Sequence, residues 1–312
     1  MKNLETLILE LCPDGVEFVK IGDFCIRNKG ISITAAKMKE INKAGAPVRI
    51  FAAGNTKADV EYEDIDSKSV VFSPSVIVKS RGNIGFEYYD KPFSHKTEMW
   101  SYTSKDCDKL DIKFLFYYLS SLTEKFQAKA RANAVKLPQL SIGDTDQFEI
   151  PLPPIEVQTE IVRILDKFTS LEAELDCRKR QYEYYRDKLL SFDNVGGQEV
   201  EWKKMSEVCE IYDGTHQTPK YQTEGIPFIS VENIKDIYGS NKYISIEAYE
   251  AYKVKPKVGD VFMTRIGSIG ACAVFTKQED VAYYVSLALL RPNSAILDSR
   301  FLKHLIESSI GK

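Results

Sequence analysis

The feature that most constrains this chain is a pattern that comes round twice. Val16-Glu17-Phe18-Val19-Lys20-Ile21-Gly22-Asp23, followed by Cys25, returns as Val200-Glu201-Trp202-Lys203-Lys204-Met205-Ser206-Glu207, followed by Cys209, at an offset of 184. At the same offset Lys79-Ser80-Arg81-Gly82-Asn83-Ile84-Gly85 is echoed by Met263-Thr264-Arg265-Ile266-Gly267-Ser268-Ile269-Gly270. This reading sets Arg81 against Arg265 and needs one extra residue before the last glycine. Asp111, Phe114-Leu115 and Ser120-Ser121 then match Asp298, Phe301-Leu302 and Ser308-Ser309 at 187 or 188. Three landmarks in one order at nearly constant spacing imply two copies of one domain, and 312 residues suffice for roughly two domains.

Each copy reads as α+β. Val70–Phe72, Ser75–Lys79, Pro227–Val231, Val258–Thr264 and Ala271–Phe275 are short apolar or alternating runs bounded by turn-forming residues, the pattern of strands. A helix closes each copy, Lys113–Gln127 in the first and Ser299–Ser309 in the second. The expected divisions are 1–150, a helical spacer at 151–192, and 193–312.

The spacer differs in kind from the copies. After Ile150-Pro151-Leu152-Pro153-Pro154, whose prolines exclude a helix interior, Ile155 to Phe192 runs without Gly or Pro. Its apolar residues fall at Ile161, Ile164, Phe168, Leu171, Leu175, Tyr182, Tyr185, Leu189 and Phe192, a heptad seam with Arg178 at one polar d position. Such a helix would be ~55 Å long and, with one apolar stripe, would need a partner helix. Tyr182, Tyr184 and Tyr185 read as seam or partner-facing aromatics rather than base-stacking platforms.

Several functions are disfavoured. Net charge is −3, with 21 basic and 21 acidic residues in 1–154 and 14 against 16 in 193–312, so no segment is a basic tail and any DNA contact must be a local basic face or shared with partners. The six cysteines and three histidines are dispersed, suggesting neither a zinc site nor a disulfide framework. His216 lacks companions for a metal. The first residues lack the apolar core of a signal peptide, which reads as cytoplasmic. Phosphate-loop, dinucleotide, zinc-protease and nucleophile-elbow motifs are absent, as is the Asn-Pro-Pro-aromatic tetrapeptide of adenine methyltransferases. Asp111-Ile-Lys113 reads as a helix start rather than half a nuclease motif.

Ile150-Pro-Leu-Pro-Pro-Ile-Glu-Val-Gln158-Thr-Glu-Ile-Val162, continuing through Phe168 to Arg178-Lys-Arg-Gln-Tyr-Glu-Tyr-Tyr-Arg-Asp-Lys-Leu-Leu-Ser-Phe192, resembles the central spacer of specificity subunits of type I restriction-modification systems. Asp213-Gly214-Thr215-His216-Gln217-Thr218-Pro219 and Ile226-Pro-Phe-Ile-Ser230 resemble the entry of a target recognition domain in that family. The resemblance implies two target recognition domains separated by a coiled-coil-type helix. It also implies a non-catalytic subunit that reads double-stranded DNA and positions adenine-N6 methyltransferase and motor-nuclease subunits. S-adenosylmethionine, ATP and Mg are then cofactors of those partners, with none in this chain. A stiff helix between two heads suits a split site, since ~55 Å spans ~16 base pairs of DNA at ~3.4 Å each.

The residues suited to reading DNA sit on turns. Lys79, Ser80, Arg81 and Asn83 end a strand at a glycine turn, and Thr264, Arg265 and Ser268 are their repeat partners. Arginine can grip guanine bidentately and asparagine adenine, while recurring arginines could instead hold phosphate and leave divergent neighbours to read bases. Thr215, His216, Gln217 and Lys220 form a second candidate loop, and His95 with Lys96 a weaker one. Aligning Phe301 with Phe114 sets Lys312 opposite Lys125, so the second domain is expected to be C-terminally incomplete, with self-association or methyltransferase subunits covering the seam. Alternatives are a truncated or silent specificity cassette and a coiled-coil scaffold with protein-binding heads.

Overall fold

The computed structural model describes residues 3–132, 134, 136–192 and 200–311. It divides into two compact units, residues 1–173 and 174–312. The division falls inside the spacer helix, and the expected domain start at 193 lies outside the described residues.

The first unit runs α1 (Leu4–Leu11), β1 (Phe18–Lys20), α2 (Ile21–Phe24), β2 (Cys25–Lys29), α3 (Ala35–Ile41), β3 (Val48–Phe51) and β4 (Lys57–Val60). There follow β5 (Ser75–Lys79), β6 (Gly85–Tyr89), β7 (Phe93–His95), β8 (Trp100–Ser104), α4 (Ile112–Ser121), α5 (Thr123–Ala132), α6 (Ile142–Asp146), β9 (Glu149–Pro151) and α7 (Ile155–Leu190). A four-stranded antiparallel sheet has the order β2-β8-β5-β6, and a three-stranded sheet the order β4-β3-β7 with β3 and β7 parallel. The central strand β5 is covered on both sides. Its alternation sends Val76 and Val78 into a core with Trp100, Tyr102, Leu115 and Phe126, and Ile77 into another with Phe51, Phe93 and Met99.

Two expectations fail here for local reasons. Val70–Phe72 is no strand: only Val71 makes an isolated bridge, to Phe93, and Phe72 is exposed. Pro74 just beyond removes a donor and restricts Ser73 before it, so pairing does not propagate. The single helix expected at Lys113–Gln127 is two, α4 and α5, broken at Leu122 (φ −105°, ψ 11°). There the Thr123 hydroxyl donates to the Ser120 carbonyl, competing with the backbone ladder. Asp111 caps α4, its carboxylate accepting from the amides of Lys113 (2.7 Å) and Phe114 (3.3 Å), the helix-start reading of that residue.

The second unit contains α8 (Met205–Val208), β10 (Cys209–Asp213), β11 (Ile226–Ile229), β12 (Tyr243–Ile244), α9 (Ile246–Glu250), β13 (Val261–Thr264), β14 (Cys272–Val274), β15 (Ala282–Tyr283), β16 (Leu287–Pro292) and α10 (Ser299–Glu307). Its sheets are ordered β10-β16-β13-β14 and β12-β11-β15, with β11 and β15 parallel. Strand for strand this is the topology of the first unit. Asp298 caps α10 as Asp111 caps α4, accepting from Arg300 and Phe301. The strand expected from Val258 starts only at Val261, because Gly259, at φ 95°, turns the chain first.

One element has no counterpart. In the first unit β1 pairs with β9, Val19 opposite Ile150. The matching residues 200–204 form no strand and leave Trp202 exposed, because no described segment of the second unit supplies a partner like β9.

The spacer is a continuous helix of 36 residues, α7. Its first turns belong to the first unit. Val157 and Val162 are buried there and Ile161 packs against the same core. Gln158, fully buried, donates to the carbonyls of Lys109 and Pro153 (both 2.8 Å) and accepts from the Asp111 amide (2.9 Å). Asp166 accepts from Lys113 (2.8 Å) and the Tyr117 hydroxyl (2.6 Å). Further along, Phe168, Leu171, Leu175, Tyr182, Tyr185 and Leu189 are 48–74% exposed, so the expected seam is a real apolar stripe facing solvent. Phe192 leaves the seam: it lies past the helix end at φ 55° and cannot be a helical d position.

Candidate nucleic-acid interface

In the first unit the site grows from the end of β5. Gly82 takes φ 77°, a conformation that costs glycine nothing, and turns the chain back into β6. The turn is pinned from outside: the Gln127 side chain accepts from the Ile84 amide (2.8 Å) and donates to the Gly82 carbonyl (3.2 Å), while the Gly82 amide donates to Pro138. Arg81 and Asn83 project exposed from this frame, and Arg81 pairs with no carboxylate among the described residues.

The other first-unit candidates are placed differently. Ser80 is 2% exposed and its hydroxyl donates to the Glu98 carbonyl. Lys79 (2.8 Å) and Lys57 (2.6 Å) share Glu87, whose carboxyl is raised by burial but held lower overall by hydrogen bonds from the two lysines. His95 is buried, its Nε2 3.2 Å from the Ser101 hydroxyl, and burial depresses its pKa so that it is held neutral. Lys96 pairs with Glu98 at 3.2 Å. Ser80 and His95 are therefore structural groups with no surface to offer a ligand. Their burial comes from β8 and the segment before it, which lie far enough along the chain that local pattern gives no sign of them.

In the second unit the corresponding turn follows β13, with Gly267 at φ 73°. The ladders fix the register: Val78 and Lys29 both pair with Trp100, as Met263 and Asp213 both pair with Ala288. Gly267 thus stands where Gly82 stands, at an offset of 185, with no extra residue, and Arg265 occupies the place of Ser80, not of Arg81. The Arg265 amide donates to Ser286 just as the Ser80 hydroxyl donates to Glu98. Thr264 is fully buried, its hydroxyl donating to the Ser268 carbonyl within the turn, and so is excluded from contact. Ser268 is exposed, as are Ile266 and Ile269, two apolar residues at the turn that local reading passed over.

Arg265 reaches back to Asp213 at the end of β10 and pairs with it. Asp213 opens the second candidate loop. Next to it Gly214 passes so close to the neighbouring strand that a Cβ would lie 2.4 Å from the Tyr284 carbonyl carbon; Gly30 makes the same crossing, 2.2 Å from the Lys96 oxygen. Thr215 then bridges to Tyr284, as Ile31 bridges to Lys96, and its hydroxyl accepts from the Gln217 amide at 3.2 Å. Gln217, Thr218 and Lys220 continue round a cleft of about 710 Å³ of mixed lining, with Tyr212, Tyr252 and Val254 on its walls and His216 exposed beside the loop. The Arg265–Asp213 pair joins this loop to the glycine turn, so two motifs separated in sequence share one end of the β10-β16-β13-β14 sheet.

Among the described residues no group of three His, Cys, Asp or Glu could hold a metal, and no helix is long and apolar enough to cross a membrane. All six thiols are unpaired; burial pushes Cys25 and Cys272 up to about 12 and Cys209 to about 11, values that suppress thiolate chemistry.

Comparison with known proteins adds to this geometry. Residues 13–181 match the type I restriction modification DNA specificity domain. A putative type I restriction enzyme specificity subunit of Haemophilus influenzae is 30% identical over 224 residues, covering 63% of this chain and 53% of its own length. The specificity subunit of an Escherichia coli type I restriction enzyme is 34% identical over 180 residues, covering 52% and 42%. The chain thus spans about half the length of the curated relatives it matches. In fold it is similar to the type I restriction-modification S subunit of M. genitalium, with a TM-score of 0.63 at 17% identity, over 94% of this chain and 77% of that one.

Proposed function

Because the chain belongs to the type I restriction-modification DNA specificity family, we propose that it reads double-stranded DNA with two heads, each at its own half-site, and carries no catalysis of its own. It would act in the cytoplasm, positioning adenine-N6 methyltransferase subunits and motor-nuclease subunits. S-adenosylmethionine, ATP and Mg would be bound by those partners. The domain limits that go with this reading are 1–150, 151–192 and 193–312.

The observation that carries the reading is the convergence in the second head of the 213–220 loop and the 264–270 turn through Arg265 and Asp213, beside an open cleft at one end of a sheet. Turns fixed at the end of a sheet are where side chains can be presented to a groove without ordering cost. Arg265 and Gln217 are side chains of the base-reading kind. Lys220 is suited to phosphate. In the first head the equivalent turn offers Arg81 and Asn83.

Binding selection tests this. The chain, mixed with the methyltransferase subunit, should enrich from a random duplex library sequences with two defined parts and a fixed unread gap. Its affinity should fall with salt, as counterion release requires. Retention of duplexes without any sequence enrichment would overturn the reading in favour of a scaffold with protein-binding heads.

A further inference from the structure

We propose that Ile266 reads the 5-methyl group of a thymine in the major groove, so that the half-site of the second head holds a thymine recognised through its methyl group. The inference rests on the DNA-reading role proposed above and names what one side chain of that site reads.

Scattered isoleucines are ordinary on a protein surface. Ile266 is set apart by its place. It stands in the turn after β13, 58% exposed, between Arg265 and the left-handed Gly267, and belongs to none of the apolar clusters of the second unit. The turn that carries it is tied at several points. The Gly270 amide donates to the Thr264 carbonyl (3.0 Å), the Ala271 amide to the Thr264 hydroxyl (3.0 Å) and the Ile269 amide to the Gly267 carbonyl (2.9 Å). Next to it Arg265 pairs with Asp213, which opens the 213–220 loop. An apolar side chain is thus held out to solvent on a fixed turn, among the polar groups proposed to face DNA.

The first head shows which exposure belongs to the position. Gly267 stands where Gly82 stands, so Ile266 takes the place of Arg81 and Ile269 that of Ile84. Ile84 is 4% exposed, in a core with Phe126, Ala130 and Leu140. No described segment of the second unit takes the place of α5 and Leu140, and Ile269 is 70% exposed for that packing reason. Arg81 behaves differently. It is exposed even though Gln139 bridges to it and the Leu140 amide donates to the Ser80 carbonyl beside it. The position of Arg81 and Ile266 therefore faces outward even with that cover in place, and the position of Ile84 and Ile269 does not.

At the outward position the first head offers a guanidinium, which reads by donating hydrogen bonds. An isoleucine side chain neither donates nor accepts. Base edges present one apolar group, the thymine methyl, and only in the major groove. In the minor groove an isoleucine could act only as a wedge between base steps. Arg265 and Gln217 share this end of the sheet and carry donors matched to major-groove edges, so the groove they enter is the one Ile266 enters. The two heads then read by different chemistry from one turn, a guanidinium in the first and a branched alkyl group in the second.

Removing single methyl groups from the DNA tests this. The complex of this chain with the methyltransferase subunit first selects its bipartite site, and each thymine of that site is then replaced in turn by uracil, which keeps the base pair and every hydrogen-bonding group. One replacement should weaken binding roughly four-fold, the worth of one methyl group taken out of water. Ile266 is exposed, so Ile266→Ser should leave the melting temperature unchanged. It should weaken binding to the thymine duplex and bind the thymine and uracil duplexes alike, because side chain and methyl lose one shared contact. Equal binding of every uracil duplex, the result expected of a wedge or of a solvated side chain, would overturn the proposal. So would a selected site without thymine, or uracil penalties that all persist undiminished in Ile266→Ser. In each of these cases the selected sequence still stands as evidence of DNA reading, whereas a library without enrichment removes that role and Ile266's part in it together.

Discussion

At three equivalent places the two heads keep the backbone and exchange the chemistry. Where β5 enters its sheet, Ser75 hydrogen-bonds Thr103 at 2.9 Å; at the same ladder position in the second head Asp260, 2% exposed, holds Arg291 at 2.7 Å. On the parallel strand His95, satisfied by Ser101, is replaced by Tyr283, whose buried hydroxyl has no partner among the described residues. At the glycine turn the buried Ser80 gives way to Arg265, paired with Asp213 where the first head has Lys29, and the first head's arginine moves one residue on, to Arg81. What stays fixed is the pair of glycine features, the crossing at Gly30 or Gly214 and the positive φ at Gly82 or Gly267. The shared scaffold lies at positions where a Cβ is excluded or strained, while the side chains at these three places differ. Such divergence would suit the proposed reading of two different half-sites.

The largest expected effects fall on the shared scaffold. Gly30→Ala and Gly214→Ala each force a methyl group to within 2.2–2.4 Å of backbone, so each should cost more than ~4 kcal/mol and unfold its own head while hydrogen exchange of the other stays protected. Equal tolerance of both substitutions would break the equivalence of the crossings.

Next is the exchanged pair. Asp260→Ala strands a mostly buried Arg291, whose pKa is raised by its hydrogen bond to Asp260, and should lower the stability of the second head by ~3–5 kcal/mol. Ser75→Ala removes two neutral hydrogen bonds, to the Ser73 carbonyl and the Thr103 hydroxyl, and should cost ~1–2 kcal/mol. Denaturant melts of the two variants compare them directly.

Smaller, and on function, are the arginines. Arg81→Ala and Arg265→Ala should each weaken DNA binding by the complex with methyltransferase by ~1–3 kcal/mol, relaxing preference in one half-site if the residue reads a base. If it holds phosphate, affinity should fall for all sequences and the salt slope by about one. Because Arg265 must leave Asp213, Asp213→Asn should tighten binding at that half-site; no change would place the pair outside the contact.

The smallest effect distinguishes the heads by pH. His95 is kept neutral by burial, so its folded pKa lies below its unfolded value near ~6.5. Above that value it contributes nothing to pH dependence; below it the unfolded chain gains a proton that the folded head refuses, and stability falls by up to ~1.4 kcal/mol per pH unit until the folded pKa is reached. His95→Gln should flatten the melting temperature of the first head between pH 7 and 5.5. The second head, with Tyr283, should lack this component.

The repeat, the helix start at Asp111, the spacer helix and its apolar stripe were legible because each is a local pattern of backbone or periodicity. The register of the glycine turn was misread by one residue, since matching arginine to arginine ignored that the invariant is the left-handed glycine. Ser80, Thr264 and His95 look like polar surface in sequence and are buried by distant strands. Gln158 and Gln127, which fix the helix and the turn through hydrogen bonds spanning 47 and 43 residues, carry no local signal at all.

The central claim, two divergent heads on one scaffold reading two half-sites, is tested most directly by mapping N6-methyladenine across a genome in cells expressing this chain with its methyltransferase subunit. The account predicts methylation at a bipartite sequence with a fixed unread gap, and, with Gln217→Ala in the second head's loop, altered preference in one part while the other is unchanged. Methylation at a single continuous site, or a change in both parts from that one substitution, would contradict it.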